Sequence, residues 1–373
     1  MAGYTKLIKE NVAPQGAAYI GVYDTNGAYK GNIALGTLAK SRGTKLFSFG
    51  LLSDIHLTDA SNTSYPNSEL KFNKALTFLK SYGCEIITVN GDVSVNQATD
   101  EYAKYKSIRS RSGVNIYTCA GNHDMGYYAP YGTAMEGRVS TKDQWTQYTG
   151  MPDINNVITI TKSGKKFYFI FISVKNAWDA NHYVNDDITG WLTTTLANCT
   201  DGKCFVFLHV PFADRAGDFG YNYDTRKILR GSQLGNFRTL INNYSNAIGF
   251  CGHTHDAWEL QGVQYTDTEN ADQLVADGTI SASQKDKGYN YDANVYPCNG
   301  ATRTGGWSFH IPSGNAARYH GFAGDKTTSQ FAVVDVYDGY VEIKGLSFDN
   351  TLVSGAIPGE IKYLPIAKYM LTF

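Results

Sequence analysis

From Thr44 onward the chain alternates short apolar runs with amphipathic ones. LFSFGLLSD (46–54) reads as a buried strand ending in polar residues. In NSELKFNKALTFLKSYG (67–83), Leu70, Phe72, Ala75, Leu76 and Leu79 fall near the helical period, so the segment is expected as a helix with those five facing inward. EIITVNGD (85–92) is the next strand, ATDEYAKYKSIRSR (98–111) a helix, and VNIYTCAGNHD (114–124) a strand again. NVITITKSGKKFYFIFISV (156–174) predicts a hairpin turning at SGKK. DDITGWLTTTLANC (186–199) is a helix with Asp at its start, and KCFVFLHVP (203–211) a strand. SQLGNFRTLINNY (232–244) reads as a helix and NAIGFCGHTH (246–255) as a strand. Such alternation argues for an α/β fold.

Both ends depart from this rhythm. Residues 1–45 hold two strand-like runs, AAYIGVYD and KGNIAL, around a DTNG turn, and predict a small β module for docking, assembly or mere decoration. Residues 257–328 are polar and rich in Gly and Asn, and are expected as a loop-rich insertion over the catalytic face of a domain spanning 46–373. FAVVDVYDGYVEIKGLSFD (331–349) is strand–turn–strand with Asp-Gly at the turn.

Composition narrows the partners. With 33 Lys+Arg against 34 Asp+Glu there is no electrostatic case for general nucleic-acid binding. The longest strongly apolar run, FYFIFISV, has eight residues, too few for a membrane span. The start, MAGYTKLIKENVAPQG, shows no apolar signal core, so no secretory signal is expected. None of the six cysteines forms a CxxC pair, which excludes zinc-finger and thioredoxin readings. Cys199 and Cys204 flank a turn and would pair only under oxidising conditions. Charged residues are 18% of the chain against 27 Tyr and 38 Gly, so solubility rests on uncharged polar groups. That suits a secreted or particle-associated surface and equally a cytoplasmic enzyme of unusual composition.

Five strand ends carry metal-type ligands: Asp54 and His56, then Asp92, then Asn122, His123 and Asp124, then His209, then His253 and His255. In an open α/β sheet, ligands gather at the carboxyl ends of strands, so residues some 200 positions apart are expected to converge. The set holds carboxylates, imidazoles and an amide but no thiolate, which suits Mn, Fe or Zn rather than an iron–sulfur centre. It suffices for two ions sharing one carboxylate. Such a pair clamps both oxygens of a phosphoryl displacement and makes hydroxide available near neutral pH.

The order DxH…GD…GNHD…H…GHxH resembles the calcineurin-like metallophosphoesterase superfamily over about 46–256, with closing strands near 330–348. The resemblance implies a four-layer αββα sandwich and a dinuclear centre. Asp54, His56, Asp92 and His255 would hold one ion; Asp92 would bridge; Asn122, His209 and His253 would hold the other. A bridging hydroxide would attack phosphorus, His123 would protonate the leaving oxygen, and Asp124 would orient that imidazole. Val95 stands where purple acid phosphatases carry a tyrosine, and GDVSVNQ replaces the GDxxDRG of Ser/Thr protein phosphatases. What remains is similar to the bacterial phosphodiesterase-like branch, with a monoesterase or nucleotidase as the alternative. The first 45 residues are similar to leader segments of phage and prophage tail-associated proteins of Gram-positive hosts. That implies display on a virion, against a cytoplasmic alternative, and a surface phosphodiester polymer such as teichoic acid as substrate. A non-catalytic particle protein retaining the fold is the reading from another class. Arg215, with Asp218, lines the pocket or a solvated loop. Arg303, His310 and Arg318 are further candidates for substrate phosphate, because guanidinium offers a bidentate fork. Tyr127 and Tyr128 either shape the leaving-group side or simply pack, and His182 and His320 read as surface or core histidines.

Overall fold

The computed structural model describes residues 8–9, 19–23, 29–34, 44–59, 62, 64–175, 188–210, 244, 246–253, 255, 296–297, 307–310, 328–349, 353–357 and 360–372. Two sheets face each other. The larger runs β3(Tyr29–Ala34), β2(Tyr19–Tyr23), β1(Ile8–Lys9), β15(Lys362–Thr372), β14(Tyr340–Asp349), β13(Thr328–Tyr337), β4(Lys45–Leu52), β5(Ile86–Asn90), β6(Asn115–Cys119). The smaller runs β11(Tyr296–Pro297), β12(Trp307–His310), β10(Ala247–Cys251), β9(Gly202–Leu208), β8(Lys165–Ile172), β7(Asn156–Lys162). Strands β4, β5 and β6 are mutually parallel, as are β8, β9, β10 and β12, so the carboxyl ends of each set lie at one edge.

Phenylalanines weld the sheets together. Phe47 and Phe49 of β4 meet Phe167 and Phe169 of β8 edge-on, with centroids 4.9 and 5.1 Å apart, and Phe49 meets Phe205 of β9 at 4.9 Å. Edge-to-face geometry suits rings packed from opposed sheets, since it sets the positive edge of one against the negative face of the other. Helix α1(Ser68–Tyr82) covers the outer face of the larger sheet through Phe72, Ala75, Leu76 and Leu79. Gly50 of β4 makes room for this packing, because a Cβ there would lie 2.6 Å from a Leu79 methyl. Leu70, expected on the inner face, is 40% exposed; it sits in the first turn, off the buried stripe. α2(Thr99–Ser112) follows β5. On the outer face of the smaller sheet, α4(Ile188–Asn198) buries Leu192 and Leu196 among Ile170, Ile172, Val206 and Leu208. The architecture is the expected αββα sandwich.

Several elements differ from the sequence reading. The N-terminal hairpin, β2 with β3, joins the larger sheet through β1, which pairs antiparallel with β15 at Ile8↔Met370. The stretch expected as loops over 257–328 supplies β11 and β12, and β12 lengthens the smaller sheet. A further helix, α3(Lys142–Thr149), starts at Thr141, whose hydroxyl accepts from the Gln144 amide in a capping box. Cys199 and Cys204 are buried free thiols, in keeping with Cys204 Sγ facing the Cys199 carbonyl at 3.7 Å. The helix expected over 232–244 lies, but for Tyr244, outside the described residues, as do Arg215, Asp218, Arg303, Arg318, His182 and His320. Among the described residues no helix is long and apolar enough to cross a membrane.

Candidate metal centre

The parallel β4–β5 pairing continues past both strands as a ladder of loop backbones. Asp54 N–H donates to Gly91 O at 3.0 Å, His56 N–H to Asp92 O at 2.9 Å, and Leu57 N–H to Val93 O at 2.7 Å. This ladder sets Asp54 and His56 beside Asp92. Within the smaller sheet, Gly252 N–H donates to His209 O at 2.8 Å and so joins the ends of β9 and β10. Of the nine non-glycine residues with positive φ among those described, five belong to the site: Asp54 (54°), His56 (44°), Asp92 (51°), His253 (74°) and His255 (60°). Left-handed backbone is unfavourable for such residues and concentrates where side chains must be aimed.

The side chains converge in two sets. Asp54, His56, Asp92 and His255 each offer a ligand atom within 4.8 Å of the others, and so do Asp92, His209 and His253. Asp92 belongs to both, with Oδ2 3.7 Å from His56 Nε2 and 3.3 Å from His209 Nε2. Asn122 Oδ1 lies 3.2 Å from His209 Nε2 and so joins the second set. Two Nε2 atoms, of His56 and His255, face each other at 3.0 Å, and His255 Nε2 lies 3.1 Å from Asp54 Oδ1. Crowding of lone pairs and carboxylates at such distances is what cations relieve, so the residues fit a pair of divalent ions.

The buried carboxylates and the His56 imidazole carry the protonation that a donor set needs, and His209 would give up a proton to a cation. Burial opposes charge on Asp54 and Asp92, but the imidazoles around them, His255 and His209 foremost, hold both carboxyls below the usual range. Burial keeps the His56 imidazole neutral. At His209 burial is outweighed by Asp92 and Asp54, and its pKa rises to about 9. His209 Nδ1 faces Asn90 O at 2.7 Å, which holds Nδ1–H in place and turns Nε2 into the site, so the Nε2 proton is the one a cation would displace. Asp54 Oδ2 accepts from the Ser53 hydroxyl and, at 3.1 Å, from His253 N–H, which turns Oδ1 toward the imidazoles.

Close approach explains two of the glycines. A Cβ on Gly91, itself at φ 84°, would lie 2.5 Å from the His209 ring, and one on Gly121 would strike Asp92 Oδ1.

His123 stands beside the first set. Its N–H donates to Asp92 Oδ1 at 2.9 Å, and its ring stacks on Tyr127 (4.8 Å, 14°) and meets His56 edge-on at 5.0 Å. Its Nδ1 faces the Val95 carbonyl at 2.7 Å. The orienting role expected for Asp124 is therefore taken by a backbone carbonyl. Asp124 instead accepts from Val93, Ser94 and Gly121 N–H (3.1, 3.0 and 2.8 Å) and from Tyr102 OH (2.6 Å). It pins the Asp92 loop to the His123 loop. Burial and the Asp92 charge push its pKa up to about 6 despite those donors.

Two further residues shape the site. Asn90 Nδ2 reaches from the larger sheet to Leu208 O (3.4 Å) and Phe250 O (3.2 Å) of the smaller one, while its Oδ1 accepts from Cys119 Sγ at 3.1 Å. Tyr65, in the turn before α1, stacks on His56 at 4.0 Å. The polar residue within an apolar strand was the available signal for Asn90; Tyr65 carries none. Of the phosphate-binding candidates, only His310 falls on described backbone, where it pairs in register with Cys251, two residues before His253.

Comparison with known proteins agrees with this geometry. The model of the family described as calcineurin-like phosphoesterase matches residues 47–257, more than half of the chain. A search of curated proteins gave no match. Among solved structures, a dimetal phosphatase from Danio rerio is similar at 11% identity and a TM-score of 0.54, over 88% of this chain and 100% of that one. A purple acid phosphatase from yellow lupin (Lupinus luteus) seeds is similar at 13% identity and a TM-score of 0.50, over 88% of this chain and 56% of that one. At these identities the likeness concerns the fold alone, and the family model carries the assignment: the chain belongs to the calcineurin-like phosphoesterase family.

Proposed function

We propose that the protein is a dinuclear metal-dependent phosphoester hydrolase that prefers diesters. The observation that carries this reading is Asp92, one buried carboxylate shared by two converging donor sets. When bound, two divalent cations supply Lewis acidity and acidify coordinated water. The chain supplies the rest. Buried Asp54, Asp92, His56 and His209 place charge and lone pairs where substrate phosphate must sit. His123 keeps one proton at Nδ1 against the Val95 carbonyl, which leaves Nε2 to hand a proton to the departing oxygen. The Tyr127 ring limits the swing of that imidazole. Asp124 acts on loop geometry through its bonds to Val93, Ser94 and Gly121.

Preference for diesters rests on the sequence departures at Val95 and in GDVSVNQ. The two solved neighbours are named as phosphatases, so a monoesterase is the alternative. Turnover of bis-aryl against mono-aryl phosphate in Mn²⁺ separates the two. Asp92→Ala should lose both ions and nearly all activity, whereas His123→Ala should keep the metal and slow poor leaving groups most. Wild-type turnover in both variants would refute the assignment. A cell-surface phosphodiester polymer is the substrate class that a virion location suggests for residues 1–45; finding the protein in host cytosol and never in particles removes that part.

A further inference from the structure

The imidazoles of the site are steered in different ways. His209 and His123 each set Nδ1 against a main-chain carbonyl, of Asn90 and Val95, at 2.7 Å. Such a bond on the far nitrogen is the usual device that fixes the tautomer and ring angle of a metal-binding histidine. His56 lacks it: its Nδ1 is buried and has no hydrogen-bond partner among the described residues. The ring nevertheless has to hold Nε2 toward Asp92 and His255, on a backbone at φ 44°.

What the ring does have is Tyr65. The two rings lie nearly parallel, 24° apart with centroids at 4.0 Å, while His123 closes the arrangement edge-on at 89°. Tyr65 is itself fixed locally. Asn62 Oδ1 accepts from both Ser64 N–H and Tyr65 N–H at 2.9 Å, and Pro66 restricts the backbone that precedes it. A stacked face constrains tilt and lateral position but not the proton, so it can replace the orienting part of a hydrogen bond on Nδ1.

We propose that Tyr65 is a positioning residue for the Asp54–His56–Asp92–His255 cation site, acting through its ring on His56. The inference rests on the dinuclear reading and concerns the affinity of one of its two sites. Full-length protein stripped with chelator is titrated calorimetrically with Mn²⁺. His253→Ala is used as the background, so that only the four-residue set remains intact. There Tyr65→Ala should weaken Mn²⁺ about tenfold, as loss of an orienting partner typically does. Tyr65→Phe, which keeps the ring, should bind as the parent does. In a His56→Ala background Tyr65→Ala should have no further effect. Unchanged affinity in Tyr65→Ala overturns the proposal. So does Tyr65→Phe as weak as Tyr65→Ala, since the hydroxyl would then be the active part. An equal loss in the His56→Ala background also overturns it, because that marks general loosening of the loop. Failure of the unmutated protein to bind Mn²⁺ refutes the dinuclear reading itself and is read from a separate titration.

Discussion

Replace Asn90 by alanine and the two sheets lose the side chain that ties them together beneath the ligands. The position is completely buried. Nδ2 donates to Leu208 O and Phe250 O at 3.4 and 3.2 Å, and Oδ1 accepts from the Cys119 thiol at 3.1 Å. The donor bonds are long, so each belongs near the weak end of the net 0.5–1.5 kcal/mol of an intramolecular hydrogen bond. The larger cost comes from partners left unpaired and from the void. Together these amount to about 3 kcal/mol. Asn90→Asp keeps the volume but sets a carboxylate oxygen against two carbonyl oxygens, so it should cost at least as much without any cavity. Because His209 and Ser53 bind the Asn90 backbone carbonyl, the tautomer of His209 should survive both substitutions. Mn²⁺ affinity should still fall, since Asp54 and Asp92 belong to one sheet and His209 and His253 follow strands of the other. Urea unfolding of the metal-free protein and Mn²⁺ titration measure the two effects. Alanine within about 0.5 kcal/mol of wild type, or aspartate more stable than alanine, would refute the reasoning.

Gly121→Ala should abolish Mn²⁺ binding through collision with Asp92 while costing about 1–3 kcal/mol of stability, checked by calorimetry and urea unfolding. Removing metal with chelator should lower the unfolding free energy by about 2.7 kcal/mol for each site kept at 100 times its dissociation constant, measured by denaturation with and without Mn²⁺. At the far end of the larger sheet, Asp335 is buried and accepts from Ser48 (2.5 Å), Tyr82 (2.7 Å) and Lys344 (2.6 Å). Burial opposes its charge, but the Lys344 ammonium and the two hydroxyls hold its pKa below the usual carboxylate value. A depressed carboxylate stabilises fully above the unfolded pKa, about 3.9, and loses that contribution as pH falls through the folded value. Asp335→Asn should therefore cost about 2 kcal/mol at pH 7, by removing a charged acceptor while Lys344 keeps Glu342 at 3.2 Å, and the gap to wild type should narrow below about pH 4 in acid unfolding curves.

The convergence of these side chains was legible in the sequence because its signal is chemical identity at strand ends, and strand ends are visible as apolar runs that stop. Asp54, His56, Asp92, His209, His253 and His255 needed only the rule that parallel strands deliver their carboxyl ends to one edge. What the sequence hid was contact. His123 and Asp124 are adjacent, and adjacency suggests partnership, yet in this turn Asp124 faces back toward Val93 and Ser94 while His123 Nδ1 turns to Val95. Asn90 was visible beside Asp92, but its work depends on Leu208 and Phe250, more than a hundred residues away.

The missed elements have local reasons. α3 was announced by a capping box, Thr141 with Gln144, though eight residues give too little periodicity to stand out. β15 carries Pro365, which argues against a strand, and its register with β14 shifts there, between Lys344↔Lys368 and Leu346↔Tyr363. A proline that cannot donate is thus accommodated by an irregularity rather than by ending the strand. That irregular strand is also the one on which β1 pairs, at Ile8 and Lys9. Local breakers weakened the sequence signal at the seam where the N-terminal strands join the larger sheet, whereas at the candidate metal centre the polar residues that end each strand sharpened it.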